Sequence, residues 1–226
     1  MLYNCKGVIF DFNGTLFFDS DKHVMAWGKL AELLTGEKLS LDALQKHFYG
    51  VPNNRAIECL LGRKCDEEAL SAYSEQKESF YRICCQEDKA NFHLVPGAKD
   101  FFEQLIRADI PFTIASASIK TNIDFFVKSF QLDTWFDPSR IVYDDGSFEN
   151  KVSMFQHAAA VIEVPIADCL IFEDSESGIR DAYAAGCRNI VVIDSMGVAG
   201  NYQGKNGVKG IIKDFTGLES LTLKQN

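Results

Sequence analysis

The sequence has no long apolar run and no paired-cysteine motif. Its apolar stretches fall far short of the roughly 20 residues that a transmembrane helix needs, so we expect no transmembrane helix. No charged leader with a following apolar segment precedes the first strand, so we expect a protein that is not secreted. None of the seven cysteines forms a Cys-x-x-Cys pair, which argues against zinc and favours a reducing cytoplasm. Cys5, Cys169 and Cys187 adjoin apolar runs and are expected to be buried.

Positive charge is also scarce. The 23 Lys and Arg residues are outnumbered by 32 Asp and Glu residues, giving a net charge of −9. This balance disfavours both nucleic acid and an anionic membrane surface as partners, so we expect no nucleic-acid and no membrane partner. A small anionic substrate remains compatible with it, because a bound divalent cation can dominate one local site. The chain also lacks repeats and low-complexity tracts, and a monomer is the default expectation. Its 226 residues suffice for one core with an inserted smaller domain.

Short apolar runs followed by polar residues and helix-like sequence predict strands alternating with helices. This order indicates an α/β fold with a doubly wound, mostly parallel sheet. The predicted strands are Gly7–Phe10, Pro111–Ala115, Cys169–Phe172, Asn189–Ile193 and, as a further candidate, Val208–Ile212.

The gap between the first two strands is too long for one crossover connection. Val24, Trp27 and Leu30 recur at helical spacing, and similar patterns continue along the segment. We therefore predict an α-helical cap over residues 20–92, inserted into an α/β core formed by residues 1–19 and 93–226.

Asp11 follows a continuous apolar strand and therefore belongs at the carboxyl edge of the sheet, where open α/β folds bind ligands. A carboxylate there can attack phosphorus directly and form an aspartyl phosphate. Local hydrogen bonding within the loop is an equally weighted alternative.

Three further positions end strands or precede helices. Ser116 can hold a phosphate oxygen, although a turn or N-cap role is common for such a serine, and Ser118 is expected to cap the next helix. Lys151 can neutralise a phosphate, although most lysines are simply solvated. Glu173 and Asp174 offer the hard oxygen ligands that Mg²⁺ prefers; a helix N-terminus also favours acidic residues, but an acidic pair at a strand end favours the metal.

The order of these positions along the chain resembles the haloacid dehalogenase (HAD) superfamily. Residues 11–15, Asp-Phe-Asn-Gly-Thr, resemble its nucleophile loop. Glu173–Ile179, Glu-Asp-Ser-x-x-Gly-Ile, followed by Ala184–Gly186, resembles the β-phosphoglucomutase-like branch. His23 and Trp27 also resemble a His-x-x-x-Trp pair on the first cap helix of that branch.

The resemblance implies Mg²⁺ as cofactor and a small phosphorylated metabolite as partner. The implied catalytic residues are Asp11 as nucleophile, Asn13, Ser116 and Lys151. The implied metal ligands are Asp11, Glu173, Asp174 and the backbone carbonyl of Asn13. The implied substrate-binding residues are Ser116, Ala117, Lys151, His23 and Arg55.

Asn13 departs from the pattern, because the family carries a second Asp there. That Asp protonates the leaving oxygen and later deprotonates the attacking water, and an amide does neither. We consider three explanations: a native Asn whose role passes to a cap residue such as His23 or to a water chain, an engineered change that traps a ligand, or drift toward phosphate binding without turnover.

The sequence thus predicts a Mg²⁺-dependent phosphatase or phosphomutase that is impaired or modified at Asn13. One alternative is a catalytically weak phosphate-binding or regulatory protein. Another is C–P or C–halogen cleavage on the same fold. C–P cleavage needs a cap lysine for a Schiff base, with Lys46 and Lys77 as candidates, whereas dehalogenation needs no metal and is disfavoured by Glu173 and Asp174.

Overall fold

The computed structural model of the chain describes residues 5–48, 51 and 53–218. They form two compact units. One unit, the core unit, comprises the described residues of Met1–Phe18 and His93–Asn226. The other, the cap unit, comprises those of Asp19–Phe92.

The core unit is built on a six-stranded parallel sheet in the order β3-β2-β1-β4-β5-β6. The strands are β1 Gly7–Phe10, β2 Phe112–Ile119, β3 Val142–Asp144, β4 Cys169–Glu173, β5 Asn189–Ile193 and β6 Val208–Ile212. Its helices are α5 Ala98–Arg107, α6 Lys120–Phe130, α7 Lys151–Val161 and α8 Glu176–Ala185. Short 3₁₀ helices cover Leu132–Thr134, Pro138–Arg140, Ile166–Asp168 and Ala199–Tyr202.

The two central strands are apolar because they are covered on both faces. Every residue of β1 and of β4 is buried. On one side of β1, Phe10 packs against several other phenylalanines, including Phe102 and Phe172, with ring centroids 5.3 and 5.2 Å away. The strand order reverses between β1 and β4, and the crevice at such a reversal is where open α/β sheets bind ligands.

The predicted α/β class and parallel sheet are confirmed, although some strand bounds differ and one strand was not predicted. β2 continues to Ile119, beyond the predicted end at Ala115. β3 was not predicted, since Val142–Asp144 is only three residues long and ends in a polar residue. β3 pairs with β2, and the register of the pairing shifts between Ser116 and Ile119. This edge strand is therefore identified by its irregular pairing with β2 and not by its own sequence.

The cap unit contains four helices within its described residues: α1 Ser20–Thr35, α2 Leu41–Phe48, α3 Asn53–Leu61 and α4 Glu67–Glu87. Their apolar faces enclose a separate small core that includes Val24, Trp27 and Leu30. The helical pattern of α1 thus reflects packing within the cap unit itself.

None of the helices in the described ranges is long and apolar enough to cross a membrane. Cys5, Cys169 and Cys187 are buried in the core unit, which confirms that prediction. Burial raises the pKa of Cys5 and Cys187 to about 11. Since the thiolate is the reactive form, these thiols are inert packing groups.

Candidate active site

The loop after β1 carries Asp11 and is held against the end of β4. The Asp11 backbone N–H donates to the carbonyl of Phe172 at 3.0 Å. Within the loop, the Gly14 N–H donates to the carbonyl of Phe17 at 2.7 Å, and Gly14 adopts φ +77°. A Cβ on Gly14 would also lie 2.1 Å from Oδ2 of Asp174. Both the positive φ and this close approach therefore require glycine at position 14.

Asp11, Glu173 and Asp174 form an acidic cluster at the carboxyl ends of β1 and β4. Each residue offers a carboxylate oxygen, and these atoms all lie within 4.8 Å of one another. Glu173 is fully buried and accepts hydrogen bonds from the backbone N–H of Asp174 at 3.0 Å and from Oγ of Ser175 at 2.8 Å. These hydrogen bonds tie the Glu173 carboxylate to the two residues that follow it.

Lys151, the first residue of α7, provides a cation at this cluster. Its Nζ lies 2.7 Å from Oδ1 of Asp11 and 3.1 Å from Oε1 of Glu173. Burial alone lowers the pKa of Lys151, but these two carboxylates outweigh that effect and raise it above its ordinary value. Lys151 is therefore a permanent positive charge and not a proton donor at neutral pH.

One ammonium does not balance three carboxylates, and the pKa values of the cluster reflect this. Burial, followed by Glu173, raises the pKa of Asp11 to about 7 even though Lys151 lowers it. Burial, Glu173 and Asp11 raise the pKa of Asp174 to about 8. When all three carboxylates are ionised, the site has an excess of two negative charges, which a divalent cation would neutralise.

Asn13 lies beside the end of β2, next to two serine hydroxyls. Its Oδ1 accepts hydrogen bonds from Oγ of Ser118 at 2.7 Å and from Oγ of Ser116 at 3.4 Å. Ser116 is buried, and its Oγ in turn accepts from the Ser118 backbone N–H at 3.2 Å. Ala117, between the two serines, is exposed.

The prediction that Ser118 caps the next helix is wrong. The N-cap of α6 is Ile119, which makes no side-chain capping bond. Because β2 continues past Ser116, the Ser118 hydroxyl stays at the sheet edge and binds Asn13. A short Ser-Ala-Ser sequence gives no sign of where the strand ends.

Ser195, just after β5, is a contact that the sequence did not predict. Its Oγ donates to Oδ2 of Asp174 at 3.1 Å. A single serine after an apolar strand carries no distinguishing pattern, so only the structure identifies it.

His23 belongs to a polar cluster within the cap unit. Lys77 Nζ donates to its Nδ1 at 2.9 Å, and its Nε2 lies 3.4 Å from Oδ2 of Asp19. The ring stacks on Tyr81 with centroids 4.2 Å apart, and the Tyr81 hydroxyl donates to the same Asp19 oxygen at 2.5 Å. Since the Lys77 ammonium has no acceptor lone pair, these contacts assign the proton of neutral His23 to Nε2.

The remaining cap candidates differ in their surroundings. Arg55 is exposed on α3. Lys77 is buried, and its Nζ also donates to Oε1 of Glu78 at 2.8 Å. The side chain of Lys46 lies outside the described residues.

The donor set of the acidic cluster suits Mg²⁺. It consists of hard carboxylate oxygens at the carboxyl ends of two adjacent strands, with a net negative charge and no sulfur or imidazole ligand among its three members. Asp11, Glu173 and Asp174 are therefore the residues that could hold the ion.

Solved structures with the same architecture are known. A HAD hydrolase of family IA, variant 3, from Entamoeba histolytica is 33% identical, with a TM-score of 0.87 and 93% of each chain covered. A β-phosphoglucomutase from Clostridium difficile is 21% identical, with a TM-score of 0.71, covering 95% of this chain and 92% of that one.

A mutant of CbbY from Rhodobacter sphaeroides, in complex with xylulose-(1,5)bisphosphate, is 18% identical. Its TM-score is 0.75, and the match covers 95% of this chain and 96% of that one. At these lower identities the two comparisons establish the fold alone. The sequence itself matches the haloacid dehalogenase-like hydrolase family over residues 5–186. Together with the 33% identical structure, this match shows that the chain belongs to the haloacid dehalogenase-like hydrolases.

Proposed function

We propose that the chain is a Mg²⁺-dependent phosphohydrolase that acts on a small phosphorylated metabolite through an aspartyl phosphate at Asp11. The observation that carries the proposal is the acidic cluster with its single lysine at the strand-order reversal. A buried excess of negative charge is costly unless it is paired, so such a cluster is expected to bind a cation. A phosphate group is in turn an additional ligand for a cation held this way.

Asp11, Glu173, Asp174 and the backbone carbonyl of Asn13 would hold Mg²⁺. When bound, the ion would offset the negative charge of the carboxylates and of the substrate phosphate. Gly14 approaches Asp174 so closely that no side chain fits beside this carboxylate. The close packing supports a role for Asp174 as a metal ligand that the loop holds in place.

In the first chemical step, a carboxylate oxygen of Asp11 attacks phosphorus. The bond between phosphorus and the leaving oxygen breaks, and the leaving oxygen departs with the bonding electrons. Lys151 and Ser116 would hold the phosphoryl oxygens in position. In the second step, water attacks the phosphorus of the aspartyl phosphate, and the Asp11 carboxylate is released together with inorganic phosphate.

Asn13 limits both steps, because an amide neither protonates the leaving oxygen nor accepts a proton from water. Substrates whose leaving groups are already stable anions, such as acyl phosphates, should therefore be the best ones. Ordinary phosphate esters should react about 10²- to 10⁴-fold more slowly than with an acid–base residue at this position.

The solved structures support a phosphorylated small molecule as substrate. The Rhodobacter sphaeroides relative is bound to xylulose-(1,5)bisphosphate in one structure and to phosphate in another. We extend the shared chemistry of these ligands, a phosphate group, to this chain.

Phosphate binding without turnover is the second candidate function, and Asn13 is the observation that favours it. The same cluster would then bind a phosphorylated ligand through Lys151, Ser116 and the metal. Only the rate of turnover separates this function from a phosphatase.

A colorimetric phosphatase screen tests the proposal, with acyl phosphates and phosphate esters assayed in Mg²⁺ and in EDTA. Mg²⁺-dependent phosphate release that is fastest with acyl phosphates is the expected result. Calorimetric binding of inorganic phosphate without release from any substrate would instead favour the binding protein. Turnover that is indifferent to EDTA would contradict the metal assignment.

The substitution Asp174→Asn is expected to weaken Mg²⁺ binding by about 10- to 100-fold or more, since a charged ligand becomes neutral. Isothermal titration of metal-free protein with MgCl₂ measures this effect. Asp137→Asn is a matched control, because Asp137 is exposed and precedes β3, the strand at one edge of the sheet. Equal Mg²⁺ affinity in wild type and Asp174→Asn would remove Asp174 from the site.

The pKa values of Asp11 and Asp174 predict a pH-dependent stabilisation by Mg²⁺. In the metal-free folded protein these groups keep their protons until about pH 7 and 8, whereas the unfolded chain loses them near the ordinary aspartate pKa of 3.8. Their contribution to stability is fully present below pH 3.8, falls as the pH rises above that value, and is fully lost once the pH has risen through 7 to 8.

Mg²⁺ binds the ionised carboxylates and therefore offsets the loss of stability that their ionisation causes at high pH. It should therefore raise the melting temperature more at about pH 8.5 than at about pH 6. Differential scanning fluorimetry in MgCl₂ and in EDTA measures both shifts. A Mg²⁺-induced shift that is the same at both pH values would contradict the raised pKa values.

A further inference from the structure

We propose that Ser195 is a positioning residue that fixes the Asp174 carboxylate in the orientation needed for Mg²⁺. This inference rests on the proposed function, because it concerns a ligand of the proposed metal site. The hydroxyl of Ser195 donates to Oδ2 of Asp174 at 3.1 Å, from the segment just after β5, a strand that contributes no member of the acidic cluster.

The backbone holds Ser195 firmly in place. β5 pairs with β4 in a register that sets Val192 beside Glu173. The residues that follow the two strands, Ser195 after β5 and Asp174 after β4, therefore leave the sheet side by side. Its N–H donates to the carbonyl of Ile193 at 3.0 Å, and the preceding Asp194 N–H donates to Ile212 on β6 at 2.7 Å. The segment that carries the hydroxyl is thus tied to the ends of β5 and β6 by backbone hydrogen bonds.

Asp174 is confined from two directions. Gly14 approaches so closely that an added Cβ would lie 2.1 Å from Oδ2 and 2.9 Å from Oδ1. Ser195 binds Oδ2 through its hydroxyl. Rotation about the Cβ–Cγ bond would break the hydrogen bond, so Ser195 selects one orientation of the carboxylate.

The orientation of a carboxylate matters more for Mg²⁺ than for Ca²⁺. Mg²⁺ demands near-ideal octahedral geometry, whereas Ca²⁺ accepts variable coordination and bidentate carboxylates. Hydrogen-bond partners that orient a metal ligand typically change metal affinity by about 10- to 100-fold. Without the Ser195 hydroxyl the Asp174 carboxylate is free to rotate, so the site should lose more affinity for Mg²⁺ than for Ca²⁺.

The test is calorimetric titration of the metal-free protein with MgCl₂ and, separately, with CaCl₂. Ser195→Ala should weaken Mg²⁺ binding by about 10- to 100-fold and Ca²⁺ binding by clearly less. Ser195→Thr, which keeps the hydroxyl, should restore Mg²⁺ affinity. Ser139→Ala is the matched control, because the Ser139 hydroxyl makes a comparable hydrogen bond to an aspartate, Asp137. Asp137 precedes the edge strand β3 and is not a member of the acidic cluster, so Ser139→Ala should leave the affinity for both metals unchanged.

The outcomes separate this inference from the proposed function. Normal Mg²⁺ affinity in Ser195→Ala, with wild type binding Mg²⁺, would overturn the role of Ser195 alone. Equal weakening of both metals together with a lower melting temperature in EDTA would also overturn it, since that pattern is general destabilisation. Absence of Mg²⁺ binding by wild type would overturn both. If Ser195→Ala does not fold, Ser195→Cys, which has a weaker donor, should show a smaller loss of the same selectivity.

Discussion

The variant Asn13→Asp is expected to hydrolyse phosphate esters up to about 10²- to 10⁴-fold faster than wild type. The gain comes from a carboxyl group that protonates the leaving oxygen and then accepts a proton from water. The gain should be largest for alkyl phosphate esters and smallest for acyl phosphates, because the latter need no proton on the leaving group. Steady-state kinetics on one substrate of each class measures the difference.

The two hydroxyl contacts to Asn13 are compatible with the change. Oδ1 accepts hydrogen bonds from the hydroxyls of Ser118 at 2.7 Å and Ser116 at 3.4 Å, and a hydroxyl also donates to a carboxylate. Asn13→Ala, which lacks any acid, is the matched control and should not gain activity. No gain by Asn13→Asp with any ester would mean that the site is adapted to the amide or that another group handles the proton.

Deamidation of Asn13 must be monitored in this experiment, because it can yield Asp at position 13 in a fraction of the molecules. Asn followed by Gly is especially prone to it, since the Gly backbone nitrogen attacks the side-chain amide. Here the Gly14 N–H donates to the Phe17 carbonyl at 2.7 Å, which restrains that attack. We expect little Asp at position 13 in fresh folded protein, and peptide mapping of fresh and aged samples measures it.

The sheet could be predicted because its central strands have a distinct chemical pattern. β1 and β4 are buried on both faces and therefore consist of nearly unbroken apolar runs. β3 was not predicted, because three residues at an irregular edge carry no such run. Edge strands are defined by their pairing partner, and that information is not local in sequence.

The candidate site likewise contains residues that the sequence could predict and residues that it could not. Asp11, Glu173 and Asp174 end apolar strands, and the topology alone brings the carboxyl ends of β1 and β4 together. Ser118 and Ser195 have no such signature, because their importance lies in which side chain each hydroxyl reaches. Hydrogen bonds between residues far apart in sequence depend on atomic positions that spacing does not determine.

His23 shows the limit of a resemblance. The His-x-x-x-Trp spacing identified a residue whose ring is held by Lys77 and Tyr81, with the proton of the neutral ring assigned to Nε2. Neither the stacking nor the lysine contact follows from that spacing. A role for His23 in handling the proton that Asn13 cannot carry stays a prediction, which kinetics of His23→Gln would test.

Asp11→Asn is expected to abolish turnover, because an amide is a poor nucleophile toward phosphorus. Wild type is itself limited by Asn13, so the loss is best measured in the Asn13→Asp background. There we expect a fall of roughly 10⁴- to 10⁶-fold in kcat, comparable to the removal of catalytic residues from other hydrolases. The fold should survive, since the amide oxygen can still accept the hydrogen bond from Lys151 Nζ that Asp11 Oδ1 accepts at 2.7 Å.

A second readout identifies the nucleophile independently of the rate. With Asn13 present, the water step lacks a base, so the aspartyl phosphate should accumulate when an acyl phosphate is supplied. Intact-mass analysis after rapid quenching should show one added phosphoryl group in wild type and none in Asp11→Asn. Asp137→Asn, the exposed control before the edge strand β3, should behave as wild type. Phosphorylation or near-normal turnover in Asp11→Asn would place the nucleophile at another residue.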